Sequence, residues 1–302
     1  MYKTVKPFIK WAGGKSQLLD AIREKYPTKI ERYCEPFVGG GAILFDVLAN
    51  FQPKEVLIND INPELTNTYI QIRDNAEKVI SLLSEMQKLF WDMDNDARKE
   101  YFYAKRDRFN ELIKEAASTE EKAALFIFIN KTCFNGLYRV NGKGLYNVPM
   151  GSYKKPHICD AENIRLISEL IQNVEVQCGD YSRCADFIDN NTFVYIDPPY
   201  RPLSKTSSFT SYAKTEFGDE QQMQLGHFIA EISQKGAKVV ASNSDPKNTD
   251  ENDNFFDDIY KMFTINRVAA TRMINSKSNG RGTVSELMIC NYYRKEDFYA
   301  LR

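Results

Sequence analysis

The stretch Asn191-Thr192-Phe193-Val194-Tyr195-Ile196-Asp197-Pro198-Pro199-Tyr200 leaves its chain few folding options. Residues 193–196 are short, apolar, β-branched and aromatic, the pattern of a buried strand. Asp-Pro-Pro-Tyr then stops it, because two successive prolines donate no N–H to a ladder and lock φ. Asp197 is therefore predicted at the carboxyl end of a buried strand, followed by a stiff turn and an aromatic ring. In an open α/β sheet, ligands bind at that end of the strands. Taken alone, Asp197 also suits the plainer role of a turn-starting residue.

The same alternation recurs along the chain. A short strand from Arg32 runs through Glu35-Pro36-Phe37-Val38-Gly39-Gly40-Gly41 into an apolar helix. Glycine lets a backbone approach a ligand closely. A second strand, 55–59, ends at Asp60, about 20 residues after the glycine loop, where an acid can bind ribose hydroxyls. A dinucleotide fingerprint would need a further glycine at Leu44, so the loop suits a smaller adenosine-containing ligand better than NAD. An ordinary βαβ turn is the alternative. Strands at 174–177, 237–242, 260–266 and 286–292, with helices at 160–171 and 219–234, bring the pattern to seven strands. Gly179-Asp180-Tyr181 opens a further helix running to about Ile188. The acidic stretch 250–258 reads as a solvated loop. Residues 201–211, and the Gly/Ser-rich segment holding Arg272, Lys277 and Arg281, read as flexible loops.

Lys10-Trp11-Ala12-Gly13-Gly14-Lys15 superficially resembles a phosphate-binding loop. That motif needs a glycine five residues before the Gly-Lys pair and a strand ahead of it; here Ile9 holds the position and no strand precedes. What remains is a glycine-rich turn opening an amphipathic helix with Leu18, Leu19 and Ile22 on one face. Lys15 is placed to reach a ligand carboxylate, or simply to stay solvated.

From Asn62 to about Phe128 strand alternation gives way to charged, helix-periodic segments at 64–90, 96–117 and 119–128. This is a helical insertion in the α/β pattern. Residues 130–149 follow, with Asn-Gly at 135–136 and again at 141–142, a strong hairpin signal. A hairpin carrying Asn135, Arg139 and apolar side chains suits a groove reader: arginine pairs bidentately with guanine, and an apolar wedge parts base steps. Lys131, Lys143, Lys154 and Lys155 can supply phosphate contacts. The alternative is a hairpin packed on the core.

The chain has 302 residues and 43% hydrophobic content, enough for a core, and a net charge of −1. Any nucleic-acid surface must then be a local concentration of basic residues. No run of about 18 apolar residues predicts a membrane span, and the first residues lack a signal peptide's apolar stretch. Six cysteines without CxxC spacing and two histidines predict reduced thiols and no metal site. The Asp197 turn suits one chemistry well. The exocyclic amine of a nucleobase is a poor nucleophile while its lone pair is delocalised. A carboxylate and a proline-held carbonyl, each accepting one N–H, favour a pyramidal nitrogen, and a stacked Tyr200 holds the base.

Five segments in this order, KWAGGK (10–15), PFVGGG (36–41), Asn59-Asp60, Phe134-Asn135-Gly136-Leu137-Tyr138-Arg139 and Asp197-Pro198-Pro199-Tyr200, resemble the Dam-type (D12 class) DNA adenine methylases of bacteria and phages. The likeness runs over nearly the whole chain. It implies a Rossmann-like, seven-stranded S-adenosylmethionine-dependent methyltransferase sheet of residues 1–64 and 159–302, interrupted by a helical and hairpin target-recognition domain at 65–158. It implies that Trp11, Ala12, Gly13, Lys15, Pro36, Phe37, Gly39, Gly41, Asp60, Asp180, Tyr181 and Asp197 hold S-adenosylmethionine. Asp197, Pro198, Pro199 and Tyr200 would hold a flipped adenine, since its amine is out of reach inside a duplex. Relatives with this hairpin recognise GATC. By that likeness Arg139 reads a guanine and Leu137 intercalates, while Phe134 and Asn135 lie near the orphaned thymine. Lys10 and Tyr153 contact the first guanine, Pro149 meets a thymine methyl, and Asn141 belongs to the same surface. Some relatives have tyrosine where Phe134 stands, which keeps stacking but loses a hydroxyl. The resemblance implies a cytoplasmic monomer acting on double-stranded DNA, with a restriction endonuclease sharing the site but forming no stable complex with it. Rival readings are an amino-methyltransferase of another target (cytosine N4, RNA or a protein amide) and a DNA-binding relative without catalysis.

Overall fold

The computed structural model describes residues 5–11, 13–15, 18–201, 217–271 and 283–293. Ala12, the polar stretch after Arg201, and Arg272, Lys277 and Arg281 lie outside the described residues. The seven expected strands form one mixed sheet: β1 (Arg32–Glu35), β2 (Glu55–Asp60), β3 (Val174–Cys178), β4 (Thr192–Ile196), β5 (Lys238–Ser244), β6 (Thr264–Thr271) and β7 (Thr283–Cys290), in the order β3-β2-β1-β4-β5-β7-β6. The first five are mutually parallel, and β7 runs antiparallel between β5 and β6. This is the Rossmann-like methyltransferase sheet expected from the sequence. The order reverses between β1 and β4, the crevice where ligands of such sheets bind.

Side chains alternate across the sheet. Tyr33, Ile58, Phe193, Tyr195 and Val240 face one core, and Cys34, Leu57, Val194, Ile196 and Val239 face the other. Burying each of the large ones contributes roughly 1.5–3 kcal/mol. The second core is closed by α7 (Asp219–Gln234) and α8 (Phe255–Ile259). The first lies under α1 (Leu19–Arg23), α2 (Ala42–Phe51) and α6 (Ala161–Leu170), and it continues without a break into the helical insertion: α3 (Pro63–Asp92), α4 (Asn95–Lys114) and α5 (Glu120–Thr132). Asn62 caps α3 by accepting from the Glu64 and Leu65 amides, with Pro63 at the first turn, and the helix breaks its regular conformation at Asn75.

Several expectations shift. The segment 130–149 is no regular ladder: its arms pair as the isolated bridges Cys133–Met150 and Val140–Tyr146, with a few further backbone hydrogen bonds such as Asn147 N to the Arg139 carbonyl at 3.1 Å. Asn135 and Gly136 do take φ of +55° and +64°, the left-handed pair that Asn-Gly favours, and Leu137 N donates to the Phe134 carbonyl at 3.2 Å. The second Asn-Gly behaves differently. Asn141 Oδ1 accepts from the Lys143 and Leu145 amides, and Gly144, not Gly142, takes the positive φ. Residues 181–186 form a 3₁₀ turn rather than a longer helix. Part of the acidic stretch is helix α8, whose Asp257 pairs with Lys247 and Arg267. Tyr260 ends that helix with its ring stacked on Phe256, so β6 starts only at Thr264. β7 begins earlier than expected because its register against β6 pairs Thr283 with Thr271.

Candidate active site

β4 delivers Asp197 to the crevice, and its neighbours fix one of its two oxygens. Oδ1 lies 2.8 Å from Lys15 Nζ and accepts the Ser242 hydroxyl at 3.0 Å. Ser242 Oγ also bonds the buried Tyr195 hydroxyl at 3.1 Å. Among the described residues Oδ2 accepts no hydrogen bond and is left for a donor from outside. Burial raises the Asp197 pKa above the usual carboxylate range, and Lys15, then Ser242, oppose it. The sequence placed Lys15 near a ligand carboxylate; the structure pairs it with the carboxylate of Asp197. The same ammonium donates to the Gly13 carbonyl and stands 4.6 Å from the centre of the Tyr200 ring.

The proline turn is held from α7. Gln222, wholly buried, donates to the Pro199 carbonyl at 2.9 Å and is itself oriented by Asn243 Nδ2 at 3.0 Å. That bond ties the Pro199 carbonyl to α7. The Tyr200 hydroxyl donates to Glu286 Oε2 on β7 at 2.6 Å.

The glycine loop folds around Asp60. Gly39 N donates to Asp60 Oδ2 at 3.1 Å and Asn62 N to Oδ1 at 2.9 Å. Burial still pushes the Asp60 pKa up to about 6. A Cβ on Gly39 would come within 2.8 Å of the Trp11 ring, so glycine is what lets the Trp11 segment lie on the loop. Gly41, at φ +76°, starts α2, and its position leaves no room for a Cβ beside the Tyr69 hydroxyl. The α2 N-terminus has no side-chain cap of its own. Pro36 is buried, its carbonyl accepting from Asn59 at 3.0 Å. Phe37 faces Tyr181 at 5.4 Å and Phe217 at 6.0 Å. Exposed Asp180 caps the turn at 181 through the Ser182 amide, and Gly13 is exposed at φ +78°. Beside Asp60, Ile61 is 51% exposed. An acid for hydroxyls with apolar and aromatic walls at the ends of β1, β2 and β3 fits the chemistry of an adenosine-containing cofactor.

A second surface gathers the residues expected to contact DNA. Lys10 Nζ reaches the Tyr153 hydroxyl at 3.2 Å and lies 4.4 Å from its ring centre. Phe134, 52% exposed, donates its amide to the Pro149 carbonyl. Arg139 is exposed, with Nε 2.8 Å from Asn147 Oδ1, and Asn141 forms the exposed tip. Leu137 is half-buried, and Tyr138 between them packs on Trp11 and Phe126. Asn130 joins two parts of this surface, the Lys10 segment and the turn at Gly136. Its side chain accepts from Lys10 N and donates to the carbonyls of Lys10 and Gly136, at 2.8, 2.8 and 2.9 Å.

Asn130, Gln222, Ser242 and Glu286 escaped the sequence reading. Only strand pairing could have signalled Ser242: the parallel register sets Ile196 against Ala241, so the next residues, Asp197 and Ser242, emerge together.

A family model described as D12 class N6 adenine-specific DNA methyltransferase matches residues 11–274. The type II methyltransferase M.MjaIII of Methanocaldococcus jannaschii is 45% identical over 294 residues, covering 95% of this chain and 99% of its own length. The type II methyltransferase M1.LlaDCHI of Lactococcus lactis is 39% identical, over 95% of this chain and 96% of its own. A DNA adenine methylase of Haemophilus influenzae is 35% identical, over 94% and 92%.

Proposed function

The chain belongs to the D12 class N6 adenine-specific DNA methyltransferases, and on that premise we propose that it methylates adenine within GATC in duplex DNA after flipping the base out. Membership makes it an adenine-specific DNA methyltransferase that uses S-adenosylmethionine. Residues 65–158 serve as the target-recognition domain, and the enzyme works as a cytoplasmic monomer, alone or beside a restriction endonuclease of the same specificity.

Bound S-adenosylmethionine supplies an electrophilic methyl group. Asp60 would bind its ribose hydroxyls, Phe37 and Tyr181 would wall its purine, and Trp11, Gly13, Pro36, Gly39, Gly41 and Asp180 would complete the cradle. Ala12, in the same motif, is assigned there by resemblance. The carrying observation is the state of Asp197. With Oδ1 held by Lys15 and Ser242, Oδ2 accepts one N6–H of the target base, and the Pro198 carbonyl accepts the other. Both bonds draw the nitrogen lone pair out of conjugation and aim it for direct in-line attack. Tyr200 stacks on the base, and Pro199 keeps the turn rigid through its bond from Gln222. On the second surface Arg139 reads a guanine, Leu137 wedges into the stack, and Phe134 and Asn135 stand by the unpaired thymine. Lys10 with Tyr153, Pro149 and Asn141 complete the reading of the site.

Methyl transfer from labelled S-adenosylmethionine to two duplexes tests this, one with a single GATC and one with its adenine replaced. Label recovered as N6-methyladenine from the first alone is the expected result. Label in both duplexes removes the GATC assignment and keeps the chemistry. Label in neither, from folded protein that binds cofactor, defeats the assigned substrate.

A further inference from the structure

We propose that Glu286 is a positioning residue for the target base, acting through Tyr200; the inference rests on the base-holding role given to Tyr200 above. Tyr200 needs such an anchor. The prolines fix the backbone up to Pro199, but the tyrosine ring remains free to turn about its own side-chain bonds. Among the described residues its hydroxyl makes one hydrogen bond, to Glu286 Oε2, 2.6 Å long. That length is typical of a hydroxyl donating to an ionised carboxylate, the stronger class of hydrogen bond. The acceptor stands on sheet structure rather than on a loop: Glu286 lies in β7, paired with Ser244 of β5 on one side and Val268 of β6 on the other.

Stability alone does not account for a carboxylate here. Among the described residues no lysine or arginine pairs with Glu286, and it adds negative charge beside Asp197, which works against ionisation of that group. Burial and the Asp197 charge keep the Tyr200 phenol protonated, and the charge and hydrogen bond of Glu286 add to this, so the ring stays a neutral donor. The carboxylate is thus retained at an electrostatic cost, and its use is to hold the ring at one angle in the crevice that Asp197 enters. Lys15 Nζ lies on the same ring, 4.6 Å from its centre, so an ill-placed Tyr200 would also disturb the cation that holds Asp197 Oδ1.

The test uses the full chain and a duplex that the wild-type protein methylates, with a second copy carrying 2-aminopurine for the target adenine. Glu286→Ala is expected to lower kcat about tenfold, the scale of one lost hydrogen bond. It should reduce the fluorescence rise on base flipping and leave the affinity for S-adenosylmethionine and the melting temperature unchanged. Glu286→Gln keeps an acceptor and should retain most of kcat. Tyr200→Phe should match Glu286→Ala, and the double variant should be no worse than the poorer single one. Wild-type kcat in Glu286→Ala, or losses that multiply in the double variant, would overturn the proposal. So would a fall in melting temperature and cofactor affinity shared by Glu286→Ala and Glu286→Gln, which marks a structural role. Tyr200→Ala separates the two layers. Near-normal turnover there removes the base-holding role of Tyr200, and with it any role for Glu286. A crippled Tyr200→Ala beside a normal Glu286→Ala removes the role of Glu286 alone.

Discussion

At Asp197 burial and a lysine work against each other. Burial favours the neutral acid, while Lys15, at 2.8 Å, favours the carboxylate, the form that the proposed acceptance of an N6–H needs. Lys15→Met keeps an apolar stem and removes the charge, so the Asp197 pKa should climb further. The acid limb of the kcat profile should then move to higher pH, with lost turnover partly regained as the pH is raised. A pH–rate series at saturating DNA reads this directly; a lowered plateau with an unmoved limb would place the work of Lys15 elsewhere. Asp60 gives a second titration. Its pKa is pushed up to about 6 by burial. Ribose hydroxyls donate to the ionised form, so binding favours loss of the proton and cofactor affinity should rise with pH through about 6. Calorimetric titration at pH 5 and 7.5 checks this, and Asp60→Asn should bind weakly at both. The two residues also differ in how they were legible. Asp60 announces itself by its distance from the glycine loop. The pairing of Lys15 with Asp197 joins residues far apart in the chain, and no local pattern encodes it.

At the scale of elements, the strands were legible because each is a short apolar run between turn residues, and buried positions tolerate little else. Their ends were less so: Tyr260 looks like the start of a strand by composition but is held in an aromatic cluster by Phe256. The segment 130–149 shows the same split. Asn135-Gly136 makes its turn as local chemistry demands, yet no ladder forms around it, because Tyr138 and Tyr146 turn inward to pack with Trp11, Phe126 and Phe109. The turn is locked against the amino-terminal segment. At Gly136 a Cβ would fall 2.6 Å from Lys10 Cβ, at a φ of +64°. Gly136→Ala should therefore cost roughly 1–3 kcal/mol in backbone strain and displace Lys10 from the turn. We expect it to erode discrimination between GATC and its one-base variants while S-adenosylmethionine affinity holds. Arg139→Ala, one of the exposed side chains of this segment, should lose about 1–3 kcal/mol of discrimination at a single position. Competition methylation of the variant duplexes measures both, and equal loss of cofactor affinity in Gly136→Ala would show damage beyond the turn.

For the molecule as a whole, the helical insertion and one face of the sheet share a single apolar core, so α5 and the turn after it are rigidly related to the strand ends. Asn130 adds three hydrogen bonds to that junction. With a net charge of −1, the chain cannot hold DNA by overall attraction. On the proposed reading the grip comes from a local group: Lys10 and Arg139 on the second surface, with exposed Lys143 and Lys154 nearby in sequence. Lys155 differs from these, since its ammonium lies 4.5 Å from the Trp91 ring centre. A lysine that meets only a phosphate contributes through released counterions and reads no base. Lys154→Gln should therefore weaken binding to every duplex by a similar factor, leave the ranking of sequences intact, and reduce the slope of log affinity against log salt by about 1. Arg139→Ala should instead change the ranking. Dissociation constants between 50 and 200 mM salt for a GATC duplex and an unrelated one distinguish the two behaviours. An unchanged slope in Lys154→Gln would take that residue out of the DNA contact and move the phosphate grip toward Lys10 and the tip at Lys143.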